Sequence, residues 1–384
     1  MNMPGHNPAN HVTTGGIRFS ENNFDLIRLI AAAEVAFRHT VVHVSPGGLP
    51  GWLETPLALV PGVPIFYFLS GFLISRAWER SPTATDYFRN RALRLFPALW
   101  TCVALATISL FATGYLSSAV WAPWQLGAWI FGQCTVFQFW TPDFLRAYGV
   151  GAVNGSLATI SIEIQFYCLT AGLYLILRRC KPATITFAFA SLAFLFAPIN
   201  HFKSEIAVWL DGFGHGTILA KLFAVSFLPW YFMFLLGALA QRVSDYVLPL
   251  LVDNAPVVVL LYVGSMFVDF FLWGLPLGNE MPTYLVPVMG ATVLAVAYSA
   301  PWLSSRVLKG NDLSYGLYIY HMPVVNVAVQ SGTSGSPLAI AGILATSVAL
   351  AFGSWKLIER PFLRRKRNAL RVVTSATSGR GRDG

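Results

Sequence analysis

The sequence predicts an all-α, polytopic transmembrane helix bundle of about ten spans, with both termini cytoplasmic. Three observations carry that expectation. The 384 residues are 55% hydrophobic and only 11% charged, with a mean hydropathy of +0.58, whereas an ordinary soluble domain is about 25% charged. The apolar residues are gathered into runs of roughly 17 or more, long enough to cross a hydrocarbon layer of about 30 Å. The basic residues are unevenly placed. With the N-terminus inside, Arg146, Lys203 and Lys221 fall on outer segments, Arg28 and Arg38 lie within the first span, and the rest fall inside. That bias is the positive-inside signature. It accounts for the net charge of +9 by topology and argues against a nucleic-acid partner. Membrane lipid is the expected surroundings.

In chain order, residues 1–23 are polar, lack the apolar core of a cleaved signal, and read as a cytoplasmic tail. Residues 24–362 read as one transmembrane domain, since no Gly/Ser linker or internal repeat divides them. The spans are placed at 24–44, 57–77, 95–115, 156–177, 183–199, 222–241, 256–275, 282–299, 313–331 and 337–357. The runs RRCK (178–181) and RRKR (364–367) read as topology anchors, with binding of anionic lipid as the alternative. The Trp- and Phe-rich stretch 123–141 reads as interfacial or re-entrant, because a full crossing there would push RRCK outside. Residues 363–384 read as a basic, disordered cytoplasmic tail. Cys102, Cys134, Cys168 and Cys180 form no CxxC and have no histidine at metal-ligand spacing. Neither a disulfide framework nor a metal site is expected.

The first span is where chemistry concentrates. A charged side chain at a helix centre costs roughly 2.5–3.5 kcal/mol on insertion scales, yet this span holds Arg28, Glu34, Arg38, His39 and His43. Arg28 and His39 form an Arg-x10-His pair. At 100° per residue they share a face about 16 Å apart along the axis. Glu34 and Arg38 are spaced i, i+4 and read as an ion pair off that stripe. In the fourth span Glu163 lies at a depth similar to that of His39. A carboxylate beside an imidazole orients it as a general base; a Glu163–Arg38 pair is the alternative. At the cytoplasmic end Arg91 and Arg94 share a helix face. With Arg28 they make a polycationic mouth suited to phosphates, or else they are plain topology anchors. His321 lies mid-span among Tyr315, Tyr318 and Tyr320 and reads as structural or substrate-lining. Gly71 in LSGF reads as a point of close helix approach.

Six stretches in order extend over most of the chain: FDLIRLIAAAEVAFRH (24–39), GVPIFYFLSGFLIS (62–75), FRNRALRLFPALW (88–100), SLATISIEIQFY (156–167), LSYGLYIYHMPV (313–324) and WKLIERPF (355–362). On these the chain resembles the membrane-bound acyltransferase 3 family, whose members O-acylate cell-surface carbohydrates and some small molecules. The resemblance implies cytosolic acyl-CoA, most simply acetyl-CoA, as donor. It implies a glycan or glycolipid acceptor on the far face, a bacterial plasma-membrane location, and no metal. It gives His39 the catalytic role and matches Glu163 to the acidic residue of the family's Ser-x-Glu motif; Glu163 is expected to hold the His39 tautomer. It puts Arg28 in the paired Arg-x10-His motif and matches Arg91 and Arg94 to the family's functional arginines, so all three are expected to bind the donor. His321, Tyr315 and Ser161 are expected along the substrate path. The chain departs from the pattern at Ala158, where an aromatic residue is common, and at Glu34 and Arg38. A covalent acyl-histidine route stays open beside direct transfer. A proton-coupled transporter or flippase of a glycan or lipid-linked precursor is the rival class. Against it stand the lack of visible repeat symmetry and of broken helices in matching halves. The sequence carries no signal for oligomeric state.

Overall fold

The structure, a computed structural model, describes residues 17–45, 47–81, 83–213, 216–274 and 278–363. Its regular structure is helical. The helices are α1 (Phe24–Val44), α2 (Gly51–Ala58), α3 (Gly62–Arg80), α4 (Ala84–Ala112), α5 (Tyr115–Ser118), α6 (Pro123–Cys134) and α7 (Ala158–Ile176). There follow α8 (Pro182–His201), α9 (Lys203–Asp211), α10 (Gly216–Ala224), α11 (Tyr231–Arg242) and α12 (Ser244–Asp253). The last are α13 (Ala255–Trp273), α14 (Leu285–Ser299), α15 (Trp302–Leu308), α16 (Ser314–Gln330) and α17 (Pro337–Ser354).

Among the described residues 6 helices are long and apolar enough to cross a membrane, or up to 8 if each bent pair is one span. The bent pairs are α11 with α12, at 94°, and α14 with α15, at 76°. Two predicted spans, α1 and α16, stand outside this set. α1 carries Asp25, Arg28, Glu34 and Arg38, and α16 is only 17 residues long. These two helices hold His39, His43 and His321.

Two boundaries, those of the run 222–241 and of α4, differ from expectation for local reasons, and the stretch 123–141 falls short of a crossing as expected. The run 222–241 is not one span: α10 ends at Ala224, and α11 is a 12-residue helix starting at Tyr231. The break is held from outside. Gln165 accepts from the Phe227 N–H and donates to the Val225 carbonyl, while Asn200 donates to the Pro229 carbonyl. Apolar composition conceals such a break, because Phe, Leu, Pro and Trp all count as hydrophobic. α4 begins at Ala84 rather than 95 because Thr83 accepts from the Asp86 N–H and caps it. In the stretch 123–141, α6 has 12 residues, about 18 Å of helix and too short to cross. The chain then folds back, with the Ser161 hydroxyl donating to the Val136 carbonyl.

Part of the predicted N-terminal tail is folded onto the bundle. Phe19 is buried and stacks on Phe72 at 5.3 Å. The Asn23 side chain accepts from the Ser304 N–H and donates to the Ala300 carbonyl. Residues 1–16 and 364–384, the remainder of both predicted tails, lie outside the described residues.

The tightest crossing joins α3 and α11. A Cβ at Gly71 would collide with the Phe234 carbonyl, and one at Gly237 with the Phe68 carbonyl. The backbones touch reciprocally at two glycines, as small-residue helix interfaces allow. Below the crossing, Arg242 pairs with Glu79 at 2.7 Å and locks the same two helices. Because backbone cannot move aside as a side chain can, Gly71→Val is expected to cost at least the 1–3 kcal/mol of ordinary overpacking. The measurement is thermal stability of the detergent-solubilised protein followed by size-exclusion chromatography. An unchanged melting temperature would remove the crossing from the core of the fold.

Candidate active site

α1 and α16 lie side by side and run the same way, so their starts meet at one end and their histidines at the other. Buried Ala31, Ala32 and Ala36 keep α1 slender enough for neighbours to approach closely. α16 is buried along nearly its whole length.

At the first end, one carboxylate organises the cations. Asp312 is buried and forms an ion pair with Arg94 through Oδ2. Arg28 Nη1 lies 3.5 Å from the same oxygen and 3.6 Å from Asp25. Asp312 Oδ1 accepts from the Ser314 N–H at 3.2 Å and the Ser314 hydroxyl at 2.6 Å, capping α16. Burial pushes the Asp312 carboxyl up, but the Arg94 and Arg28 guanidiniums outweigh it and hold it well below the usual carboxylate range. The predicted polycationic mouth is therefore divided. Arg28 and Arg94 are largely compensated. Arg91 instead lines a separate open cavity with Arg76, Arg80, Tyr87 and Asn90, walled by Phe19 and Asn22. The Arg76 guanidinium covers the Phe19 ring at 3.2 Å. The Nε atoms of Arg76 and Arg91 are buried without a hydrogen-bond partner.

A second cavity lies inside the bundle between α1, α3, α7 and α16. Arg28 and Tyr315 line it together with Tyr67, Ser70, Glu163, Thr159 and Tyr318. Glu163 accepts from the Tyr167 hydroxyl at 2.6 Å and the Ser70 hydroxyl at 3.2 Å. The Tyr67 hydroxyl is buried with no partner among the described residues, a group whose desolvation costs about 1–3 kcal/mol if nothing binds it. The Tyr318 hydroxyl pairs with Thr159 at 2.8 Å, and its ring meets His321 edge-on at 6.1 Å.

At the other end His39 Nδ1 lies 2.9 Å from His321 Nε2. His321 is fully buried, and its Nδ1 donates to the Leu317 carbonyl at 3.2 Å. The His43 ring stands 5.9 Å from that of His39. Arg38 donates to Glu34 at 2.6 Å, as the i, i+4 spacing predicts.

The structure joins some predicted site residues and separates others. Arg28, Glu163 and Tyr315 line the central cavity, and His39 meets His321. Glu163 is not the partner of His39. Its carboxylate is taken up by Ser70 and Tyr167, because α16 rather than α7 packs beside His39. Ser161, expected along the substrate path, is not among that cavity's lining residues. It anchors the returning segment through Val136 and Gln138. Sequence reasoning missed Asp312, Tyr67 and Arg76. An acidic residue two positions before Ser314 at the head of a span is a readable capping signal for Asp312; Tyr67 and Arg76 carry no comparable local mark. What the arrangement offers chemically is an imidazole pair, a mainly apolar cavity with a few polar groups near it, and arginines at the far end.

A family model described as an acyltransferase domain matches residues 21–356. Nodulation protein 10 of Rhizobium leguminosarum bv. viciae is 28% identical over 375 residues, covering 93% of this chain and 96% of that protein. The O-acetyl transferase of Shigella phage Sf6 is 26% identical over 359 residues, covering 90% and 96%. No solved structure matches.

Asp312 holds two guanidiniums, so replacing it removes the ion-pair partner of Arg94 and leaves Arg28 with Asp25 alone. Asp312→Asn keeps the cap but removes the charge, and is expected to cost about 3–5 kcal/mol, read as a lowered melting temperature in detergent. The carboxyl's depressed pKa sets the pH dependence. Its contribution is present above the unfolded value near 4 and is lost as pH falls further.

Proposed function

Because the chain belongs to the family this acyltransferase domain defines, we propose that it is an integral-membrane O-acyltransferase. It moves an acyl group, most simply acetyl, from cytosolic acyl-CoA to a hydroxyl of a cell-surface or exported carbohydrate. The similarity to an O-acetyl transferase and to a nodulation protein supports that class. The observation that carries it is the central cavity, which runs from Arg28 toward the Tyr318 ring that abuts the histidine pair. The positive-inside bias puts the Arg28 end in the cytosol and the His39 end outside, with the bacterial plasma membrane as the location.

In this reading the donor's phosphates sit in the cavity of Arg91 and Arg76, whose unpartnered N–H groups suit anionic oxygens. Arg94 and Asp312 fix Arg28 at the passage, so these arginines shape the mouth rather than supply free charge. The pantetheine arm follows the central cavity, where the Tyr67 hydroxyl finds the acceptor it lacks in the protein. Tyr318 lies between that cavity and the histidines and turns aside for the thioester to pass.

An acceptor hydroxyl entering from outside gives its proton to His39 as its oxygen attacks the thioester carbonyl. The tetrahedral intermediate collapses with cleavage of the carbon–sulfur bond. The proton passes to the departing sulfur, and CoA leaves as the free thiol.

General-base chemistry is worth about 10²–10⁴ in rate, so His39→Ala is expected to retain folded, inserted protein with at least a hundredfold less transfer. Arg91→Ala is expected to raise the donor KM about tenfold, the low end for a charge-assisted hydrogen bond. Labelled acetyl-CoA with purified protein in lipid nanodiscs checks both, and mass spectrometry of surface glycans identifies the product. Undiminished glycan acylation in the His39→Ala strain would overturn the assignment.

A further inference from the structure

We infer that His321 is the positioning residue of His39, fixing its proton on Nδ1 and leaving Nε2 as the atom that accepts the substrate's proton. This rests on the reading of His39 as the base. The argument is a chain of hydrogen-bond polarities. A carbonyl oxygen only accepts, so the 3.2 Å contact with the Leu317 carbonyl puts a hydrogen on His321 Nδ1. In the neutral ring Nε2 then carries a lone pair. That lone pair faces His39 Nδ1 at 2.9 Å, where two lone pairs would repel. His39 Nδ1 therefore carries the hydrogen between the rings, and His39 Nε2 is bare. A histidine in water favours the opposite tautomer, with the proton on Nε2. The pairing reverses that preference before any substrate arrives.

The same contact serves the transfer step. When His39 Nε2 takes the acceptor's proton, the ring becomes an imidazolium, and its Nδ1–H bond to His321 becomes charge-assisted, roughly twice as strong as the neutral one. The bond gains strength as the transition state is approached, which is the condition for lowering the barrier. A neutral partner does this without placing a carboxylate beside the base, consistent with Glu163 being held by Ser70 and Tyr167 instead. His321 is itself rigid. It is fully buried on a helix whose start is capped by Asp312 and whose far half is tied by Asn326 to the Ala152 and Val153 carbonyls.

The test compares His321→Leu, which has no acceptor, with His321→Gln, whose amide oxygen can accept from His39 Nδ1–H. His321→Leu is expected to lower kcat about a hundredfold or more with the donor KM within about threefold. His321→Gln is expected to recover at least about tenfold of that loss. A His321→Leu enzyme with near-normal kcat, or equal loss in both variants, would overturn the inference. Nitrogen-15 NMR of the histidine-labelled wild-type protein decides independently of how the variants fold. His39 should show a protonated Nδ1 and a bare Nε2, and the reverse pattern overturns the inference. An active His39→Ala enzyme would instead bring down the reading of His39 as base. An inactive His39→Ala enzyme beside an active His321→Leu enzyme would remove the relay alone.

Discussion

Everything in this bundle is arranged around one constraint: a polar group placed in an apolar slab must find its partner inside the protein. The pairing of α1 with α16 meets that constraint at both ends. Asp312 takes two guanidiniums at one end, and His321 takes His39 at the other. A helix held by polar contacts at two separated points has little freedom to slide or rotate. A slip of one residue turns a helix by about 100° and would break both contacts together. The register of the pair is thus fixed by its costliest groups, and α3, α7 and α17 pack around a ready-made axis.

What could be read from the sequence followed from local chemistry. The apolar runs gave the helical class. The i, i+4 spacing gave the Glu34–Arg38 pair, and the glycine of LSGF gave the close approach of α3. What could not be read was lateral order. Depth along a helix can be counted from sequence, and on depth Glu163 was a fair partner for His39. Which helix stands beside which is decided by packing over long sequence separations. His39 meets a residue 282 positions away. The same limit divided Arg91 from Arg94: helix spacing put them on one face, but Asp312 drew one into an ion pair while the N-terminal segment enclosed the other.

The two cavities have contrasting walls, which on the proposed reading take different parts of one elongated donor. The larger is lined by Arg76 and Arg91, whose Nε donors are unspent, and the smaller by apolar side chains, tyrosines and a carboxylate whose own bonds are mostly satisfied. Arg28 belongs both to the ion cluster and to the central cavity, so occupancy of the passage and the state of the cluster act on one side chain. The Arg-x10-His motif then describes the two ends of a path rather than two members of one contact.

If the acyl group passes through the central cavity as proposed, the glycine crossing of α3 and α11 has a consequence for acyl-length selectivity. With their backbones in contact, these helices behave as a single stiff slab. α3 contributes Val63, Phe66, Tyr67 and Ser70 to the central cavity, so that wall cannot retreat for a bulkier group. Accommodation has to come from the opposite side, through Thr159 and Ile160 on α7 and Tyr318 on α16. Relatives that differ in whether they carry acetyl, succinyl or longer chains should diverge along that yielding face and agree along the rigid one.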